Sequence, residues 1–178
     1  MQILAISGSL REGASNTTLL QAASLLAPPD VTVTLYDAIG SLPHFNPDLD
    51  RPDEIGLPGV IADLRKRVGE ASGVLISCPE YAHGIPGSFK NLLDWLVGSL
   101  EFPGKPVALL NTSSLSTHAP AQLREVLTTM NARIVPGASV TIPIGRQRDA
   151  NAILADPELV ASIGAALTAF VHAVDQPD

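Results

Sequence analysis

Short apolar runs alternate along this chain with longer stretches whose apolar residues return every three or four positions. Ile3-Leu4-Ala5-Ile6 is apolar at every position, the pattern of a strand buried on both faces. A turn-rich stretch follows over residues 7–15, and residues 16–26 read as helix. Residues 31–35 form the second strand. Residues 57–70 predict a helix with Val60, Ile61, Leu64 and Val68 on one face. Val74-Leu75-Ile76 is the third strand, and a helix is expected over residues 88–97. Residues 107–110 are the fourth strand, 119–130 a helix, and 135–142 a fifth, weaker strand. The last helix spans residues 157–174, with Pro157 near the first-turn position that proline tolerates.

Five such β-α units predict a parallel sheet with helices on both faces. Right-handed crossovers leave two doubly wound strand orders, and in both the ligand sits beyond the carboxyl ends of the strands. The loops after the first, third and fourth strands are therefore the ones to inspect.

The first is Ser7-Gly8-Ser9-Leu10-Arg11-Glu12-Gly13-Ala14-Ser15-Asn16-Thr17. It joins a buried strand to a helix start, where free N–H groups and the helix dipole favour an anion. Gly8 and Gly13 permit a close turn. Ser9, Ser15, Asn16 and Thr17 add hydroxyl or amide groups, and Arg11 offers a planar fork. An ordinary polar turn, with Ser15 or Asn16 as helix cap, is the competing reading. Two phosphate motifs fail here. The dinucleotide fingerprint needs glycine where Leu10 stands, and a Walker A loop needs lysine where Ala14 stands.

The second loop is Pro79-Glu80-Tyr81-Ala82-His83-Gly84-Ile85-Pro86-Gly87. A flat ring such as isoalloxazine needs an apolar wall and backbone groups at its polar edge, which Pro79, Tyr81 and Gly84 supply. Tyr81 reads equally as a surface or interface aromatic. His83 reads as metal ligand, proton donor or surface residue. With no second histidine at ligand spacing the surface reading leads, and no metal is expected. Glu80 orients the loop or bonds the ring. Phe89, Leu92, Leu93 and Trp95 read as packing, and Cys78 as a small buried hydrophobe. In the third loop, residues 111–118, Ser113 and Ser114 suit a cofactor edge, while His118 covers the ring or simply begins a helix.

These motifs together resemble the NADPH-dependent FMN reductase family. The resemblance rests on Ile6-Ser7-Gly8-Ser9-Leu10-Arg11 with Asn16, on Pro79-Glu80-Tyr81 and Ile85-Pro86-Gly87, and on Lys90-Asn91 with Asp94-Trp95. Residues 42–49 resemble the family's segment after the second strand. The likeness runs through nearly the whole chain. It implies a flavodoxin-like three-layer α/β sandwich, with a five-stranded parallel sheet in the order 2-1-3-4-5, as one FMN-binding domain over residues 1–178. It implies FMN as cofactor, NADPH or NADH as electron donor, and a small-molecule acceptor such as a flavin or quinone. It also implies a homodimer or homotetramer.

Carried over by position, Ser9, Arg11, Asn16 and Thr17 hold the FMN phosphate, and Ser15 is expected to compensate for Ala14, where many relatives have Ser. Pro79, Glu80 and Tyr81 line the ring; Ala82, His83 and Gly84 are expected at its edge with Ser113 and Ser114, and His118 either covers the ring or begins a helix. Ala82-His83-Gly84 stands where many relatives have Asn-Gly-Ser, and the third loop lacks the family's glycine pair. The flavin carries the redox chemistry in such enzymes, so no catalytic side chain is assigned. Nicotinamide and acceptor are expected to share one pocket in a ping-pong sequence. The competing functions are a flavodoxin-type electron carrier and a non-catalytic flavin-binding protein.

Composition narrows the setting. Of 178 residues 46% are hydrophobic, enough for one sizeable core. The net charge of -7 argues against nucleic acid, whose binding needs clustered Lys and Arg. No apolar run nears the roughly 20 residues that span a bilayer, so no membrane partner is expected. The amino terminus lacks the basic region of a signal peptide, and Cys78 is the only cysteine. A reducing, cytoplasmic setting is expected. On the helix over residues 88–97, Leu92, Trp95 and Leu96 are candidates for a subunit interface, or else for the monomer's own core.

Overall fold

The computed structural model describes residues 1–51, 56–145 and 149–176. Its strands are β1 (Gln2–Ser7), β2 (Thr32–Tyr36), β3 (Gly73–Ser77), β4 (Pro106–Asn111), β5 (Arg133–Ile134) and β6 (Val140–Thr141). Its helices are α1 (Ser15–Leu25), α2 (Gly59–Glu70), α3 (Gly87–Val97), α4 (His118–Thr129), α5 (Ala150–Leu154) and α6 (Pro157–Asp175). All strand pairs are parallel, in the order β2-β1-β3-β4-β5, with β6 also on β4. This is the flavodoxin-like order, and its switch point lies between β1 and β3.

The central strands bury both faces, which explains their unbroken apolar runs. Alternate side chains enter opposite cores. Ile3, Ala5 and Leu75 pack with Leu19, Leu20 and Ala23 of α1 and with Ile163, Leu167 and Phe170 of α6. Leu4, Ile6, Val74 and Ile76 pack with Leu64 and Val68 of α2, Phe89 and Leu93 of α3, and Leu123 and Leu127 of α4. The sandwich therefore has α1, α5 and α6 on one face and α2, α3 and α4 on the other.

Several expectations change. The fifth strand is split, because a 3-10 turn at Pro136–Ala138 interrupts it. Pro136 has no N–H to give a ladder. Across the gap, the N–H of Leu109 donates instead to Ser139 Oγ at 3.1 Å. Helix α2 starts at Gly59, later than the periodicity suggests, since the residue before Pro58 is steered out of helical geometry. The short α5 was not expected. Asp149 caps it through Ala152 N–H at 2.9 Å.

Leu92, Trp95 and Leu96 do not form an exposed face: they are 0%, 0% and 1% accessible within this chain. Trp95 donates its indole N–H to Pro43 O at 2.8 Å and meets Phe45 edge-on at 5.1 Å. Asn91 adds Nδ2 to Pro43 O and accepts from Phe45 N–H. The Asn91 and Trp95 motif thus straps down the segment after β2. Buried Arg65 pairs with Asp50 at 2.6 Å and donates to Trp95 O at the end of that strap. Folded as one 19-residue helix, α6 is long and apolar enough to cross a membrane by length and composition. Its Ile163, Leu167 and Phe170 face is packed into the core.

Candidate functional site

The loops after β1, β3 and β4 meet at the carboxyl edge of the sheet. Ser7 and Ser77 lie side by side in the register at the ends of β1 and β3, and both are buried. Ser77 Oγ donates to Leu110 O at 2.7 Å and accepts from Asn16 Nδ2 at 3.0 Å. Ser7 Oγ and Thr17 Oγ1 are 2.8 Å apart. This polar floor ties α1 to β1, β3 and β4 beneath the loops. Sequence reading ended both strands one residue early and missed Ser7 and Ser77 as its members. A serine directly after an apolar run, at the same point of two neighbouring strands, was the available signal.

Asn16 is buried with its amide committed to Ser77. Its side chain positions the start of α1, while its backbone N–H belongs to the helix's first turn. Ala14 occupies the cap position and has no side chain to accept from that turn, which carries no acidic residue. The N–H groups of Ser15, Asn16 and Thr17 therefore lack the capping carboxylate or hydroxyl that most helix starts recruit. Gly13 turns the loop at φ 61, and Ser9 Oγ receives the N–H of Arg11 at 3.3 Å. The Arg11 side chain extends from this loop and is exposed. An uncapped helix start that follows a loop bearing Ser9 and Arg11, with Ser15 in its own first turn, suits a phosphate monoester such as the one FMN carries.

Gly8 sets the distance between the first two loops. Its N–H donates to Ser77 O at 2.8 Å. A Cβ on Gly8 would lie 2.8 Å from Cys78 Sγ and 3.1 Å from Pro79 Cδ. Burial pushes the Cys78 thiol up to about 12, so it is an uncharged packing group here.

The second loop is a two-residue hairpin. Tyr81 and Gly84 exchange both backbone hydrogen bonds at 3.0 Å, and Ala82 and His83 have φ of 50° and 61°. Positive φ at both central positions is the type I′ geometry, which favours Asn-Gly and penalises side chains such as these. Tyr81 is 52% exposed, with its hydroxyl 3.3 Å from Ser9 Oγ, so it bridges the first and second loops.

Glu80 joins the second loop to the third. Its Oε2 accepts the N–H groups of His118 and Ala119 at 2.8 and 2.9 Å, capping α4 from another segment. Those two N–H groups, with the nearby His118 and His83, hold its carboxyl below the ordinary carboxylate range. Gln122 Oε1 accepts Ile85 N–H at 2.9 Å and makes a second tie. The His83 and His118 rings stack, with centroids 4.4 Å apart and planes 3° from parallel. Fold topology, not sequence spacing, brings this second histidine to the first. Ser113 is occupied locally, with its Oγ accepting Leu115 N–H and its carbonyl accepting Asn111 Nδ2. Ser114 is exposed beside it.

A pocket of about 130 Å³ adjoins the loops, lined by Cys78, Asn111, Ser116, Arg124 and Thr141 among others. A larger one of about 400 Å³ lies at the other end of β1, with Asp63, Lys66, Arg67 and Glu70 on its wall. The larger one is remote from the uncapped helix start. Ligands of open α/β sheets bind at the carboxyl edge, so the loops and not this pocket are the candidate site.

A family model described as NADPH-dependent FMN reductase matches residues 1–147. The chain is 32% identical over 141 residues to the quinone reductase of Escherichia coli strain K12, covering 76% of this chain and 73% of that protein. It is 36% identical over 116 residues to an NAD(P)H-dependent FMN reductase of Pseudomonas aeruginosa, covering 64% of this chain and 60% of that one. Among solved structures, the flavoenzyme NAD(P)H:(acceptor) oxidoreductase FerB from Paracoccus denitrificans superposes with a TM-score of 0.85 at 26% identity, over 98% of this chain and 97% of FerB. Fold and site define a flavodoxin-like α/β protein with an anion-ready crevice at its switch point. The chain belongs to the NADPH-dependent FMN reductase family, and so to the NAD(P)H-dependent oxidoreductases.

Proposed function

We propose that this chain binds one FMN and uses NADPH or NADH to reduce small acceptors of the quinone or flavin type, in a ping-pong sequence. The observation that carries this reading is the start of α1. Its first-turn N–H groups follow Ala14 rather than a capping side chain, in a loop-and-helix segment that also carries Ser9, Arg11, Ser15 and Thr17. A phosphate there supplies the missing acceptors and meets the positive end of the helix dipole. FMN, when bound, supplies the two-electron exchange between nicotinamide and acceptor. The protein's part is placement. Pro79 to Gly84 offer backbone groups and an apolar wall at the ring, and Tyr81 spans the crevice mouth. Glu80 keeps that loop attached to α4. Quinones enter as the acceptor class because the Escherichia coli relative is a quinone reductase.

Donor and acceptor both need contact distance to the same reactive ring, so they exclude each other from a single crevice. Self-association as a homodimer or homotetramer belongs to the same reading. Val97 and Leu100, exposed at and after the end of α3, are among the apolar groups available for it. A particle of 18.6 kDa in light scattering would remove that part.

The test of the activity is anaerobic. FMN-loaded protein mixed with NADPH or NADH should lose its flavin colour within the time of one turnover and regain it with a benzoquinone. Steady-state rates at several quinone concentrations should give parallel double-reciprocal lines. A flavin that nicotinamide leaves unbleached would instead mark an electron carrier or a flavin-binding protein, and intersecting lines would remove the shared crevice.

A further inference from the structure

We propose that Glu80, His83 and His118 form a binding site for a divalent transition-metal ion of the Zn²⁺ type at the rim of the crevice. One ligand atom from each lies within 4.8 Å of the other two. Two imidazole nitrogens and one carboxylate oxygen are a donor set that Zn²⁺ and its neighbours favour, and three protein ligands leave a further position open.

The framework that holds them is rigid where it needs to be. Glu80 spends Oε2 on the N–H groups of His118 and Ala119, leaving Oε1 for an ion. Gln122 ties the same loop to α4 through Ile85. The backbones bearing all three ligands are thus joined by three hydrogen bonds. The rings themselves are exposed. In the stack their lone pairs point along parallel planes. Ligation at about 2.0–2.2 Å needs donor atoms roughly 3.4 Å apart, so the rings must leave the stack and tilt toward Glu80. Side-chain rotation at two exposed positions allows this with no movement of the loop.

A second observation points the same way. The turn that presents His83 places two side chains in left-handed geometry, where Asn-Gly is unstrained. A strained position that persists is a common mark of a functional side chain. An ion here would add a third fastening between the hairpin and α4.

The experiment uses FMN-loaded protein freed of metal by chelation, titrated with Zn²⁺ in a calorimeter and with Co²⁺ by visible absorption. One equivalent per chain should bind, and Co²⁺ should give the intense bands of a low-coordinate site. His83→Ala and His118→Ala should each weaken binding by about tenfold or more, since even outer-shell changes cost that much. His83→Gly, which suits the left-handed backbone, should do the same in a protein at least as stable as the parent. His172→Ala, on α6, should leave binding unchanged. Absence of saturable binding, or binding by the His83 and His118 variants as tight as the parent's, would overturn the site.

Discussion

The carboxylate of Glu80 accepts the backbone N–H of His118 at 2.8 Å, so a residue following β3 caps a helix that follows β4. Ala119 N–H shares the same oxygen. The three loops of the site become one unit through this cap and through the contact between Tyr81 and Ser9. The cap has a definite pH dependence. Ala119 and His118 N–H groups hold the Glu80 carboxyl below 4.5. A depressed carboxyl contributes its stability above the unfolded value and loses it as pH falls through the folded one. The protection factors of the His118 and Ala119 amides should therefore fall in acid only at lower pH than an ordinary carboxylate cap would give. In Glu80→Ala those amides should exchange faster at neutral pH. Equal protection in both proteins would mean the cap holds nothing.

Arg11 supplies the charge of the phosphate site in our reading. Arg11→Ala should weaken FMN by about 1.5–3 kcal/mol, the range for hydrogen bonds to charged groups. Riboflavin has no phosphate and should bind both proteins alike. Flavin fluorescence titration separates the two ligands, and an equal loss for both would remove Arg11 from the phosphate.

Gly8→Ala should cost about 1–3 kcal/mol of folding stability, the usual range for overpacking. The new methyl meets Cys78 Sγ at 2.8 Å and Cys78 Cα at 3.2 Å, and a backbone atom cannot swing aside. Relief requires the first and second loops to part. FMN affinity should fall with stability in urea titrations, whereas an unchanged denaturation midpoint would show that the two loops are free to separate.

Much of this was legible in the sequence because strands buried on both faces leave unbroken apolar runs, as Ile3 to Ile6 do. The turn between β1 and α1 was legible from its glycines and polar residues. Three things were not. Asn16 looks like a ligand group but is turned toward Ser77, and side-chain direction depends on which strand lies beneath the helix. Trp95 and Leu92 share their spacing with an interface stripe, and only the strap at Pro43 and Phe45 shows the face to be covered. His83 had no visible partner because the crossover from β3 to β4 brings His118 in from a distant part of the chain.

The hairpin at Ala82 and His83 offers a gain in stability. The double change Ala82→Asn with His83→Gly installs the pair that type I′ turns prefer. Left-handed geometry costs an ordinary residue about 1–2 kcal/mol, so the variant should be more stable by about that amount or somewhat more. Thermal and urea unfolding would measure it. A destabilised variant would show that the stacked imidazoles contribute more than the turn costs.

Tyr36 ends β2 with its ring buried, the Arg67 guanidinium 5.8 Å from the ring centre, and its hydroxyl without a hydrogen-bond partner among the described residues. Burial, reinforced by Asp63 and opposed by Arg67, pushes the phenol up to about 12 from 10.0. Cys78 rises to about 12 from 9.0 through burial alone. Both groups stay protonated in the fold at a pH where the unfolded chain has released the proton. The unfolded state then binds fewer protons, so stability falls as pH rises. It should be full below about pH 9 and decline from there toward 12. Tyr36→Phe removes a buried hydroxyl that has no hydrogen-bond partner among the described residues while keeping the ring, so at pH 7 it should be neutral or stabilising by up to about 1 kcal/mol. The same variant should lose less stability between pH 10 and pH 12 than the parent does. Urea midpoints across that range measure both effects. A variant less stable than the parent at pH 7 would reveal a hydrogen bond to the Tyr36 hydroxyl, and parallel alkaline curves would assign the loss to other groups.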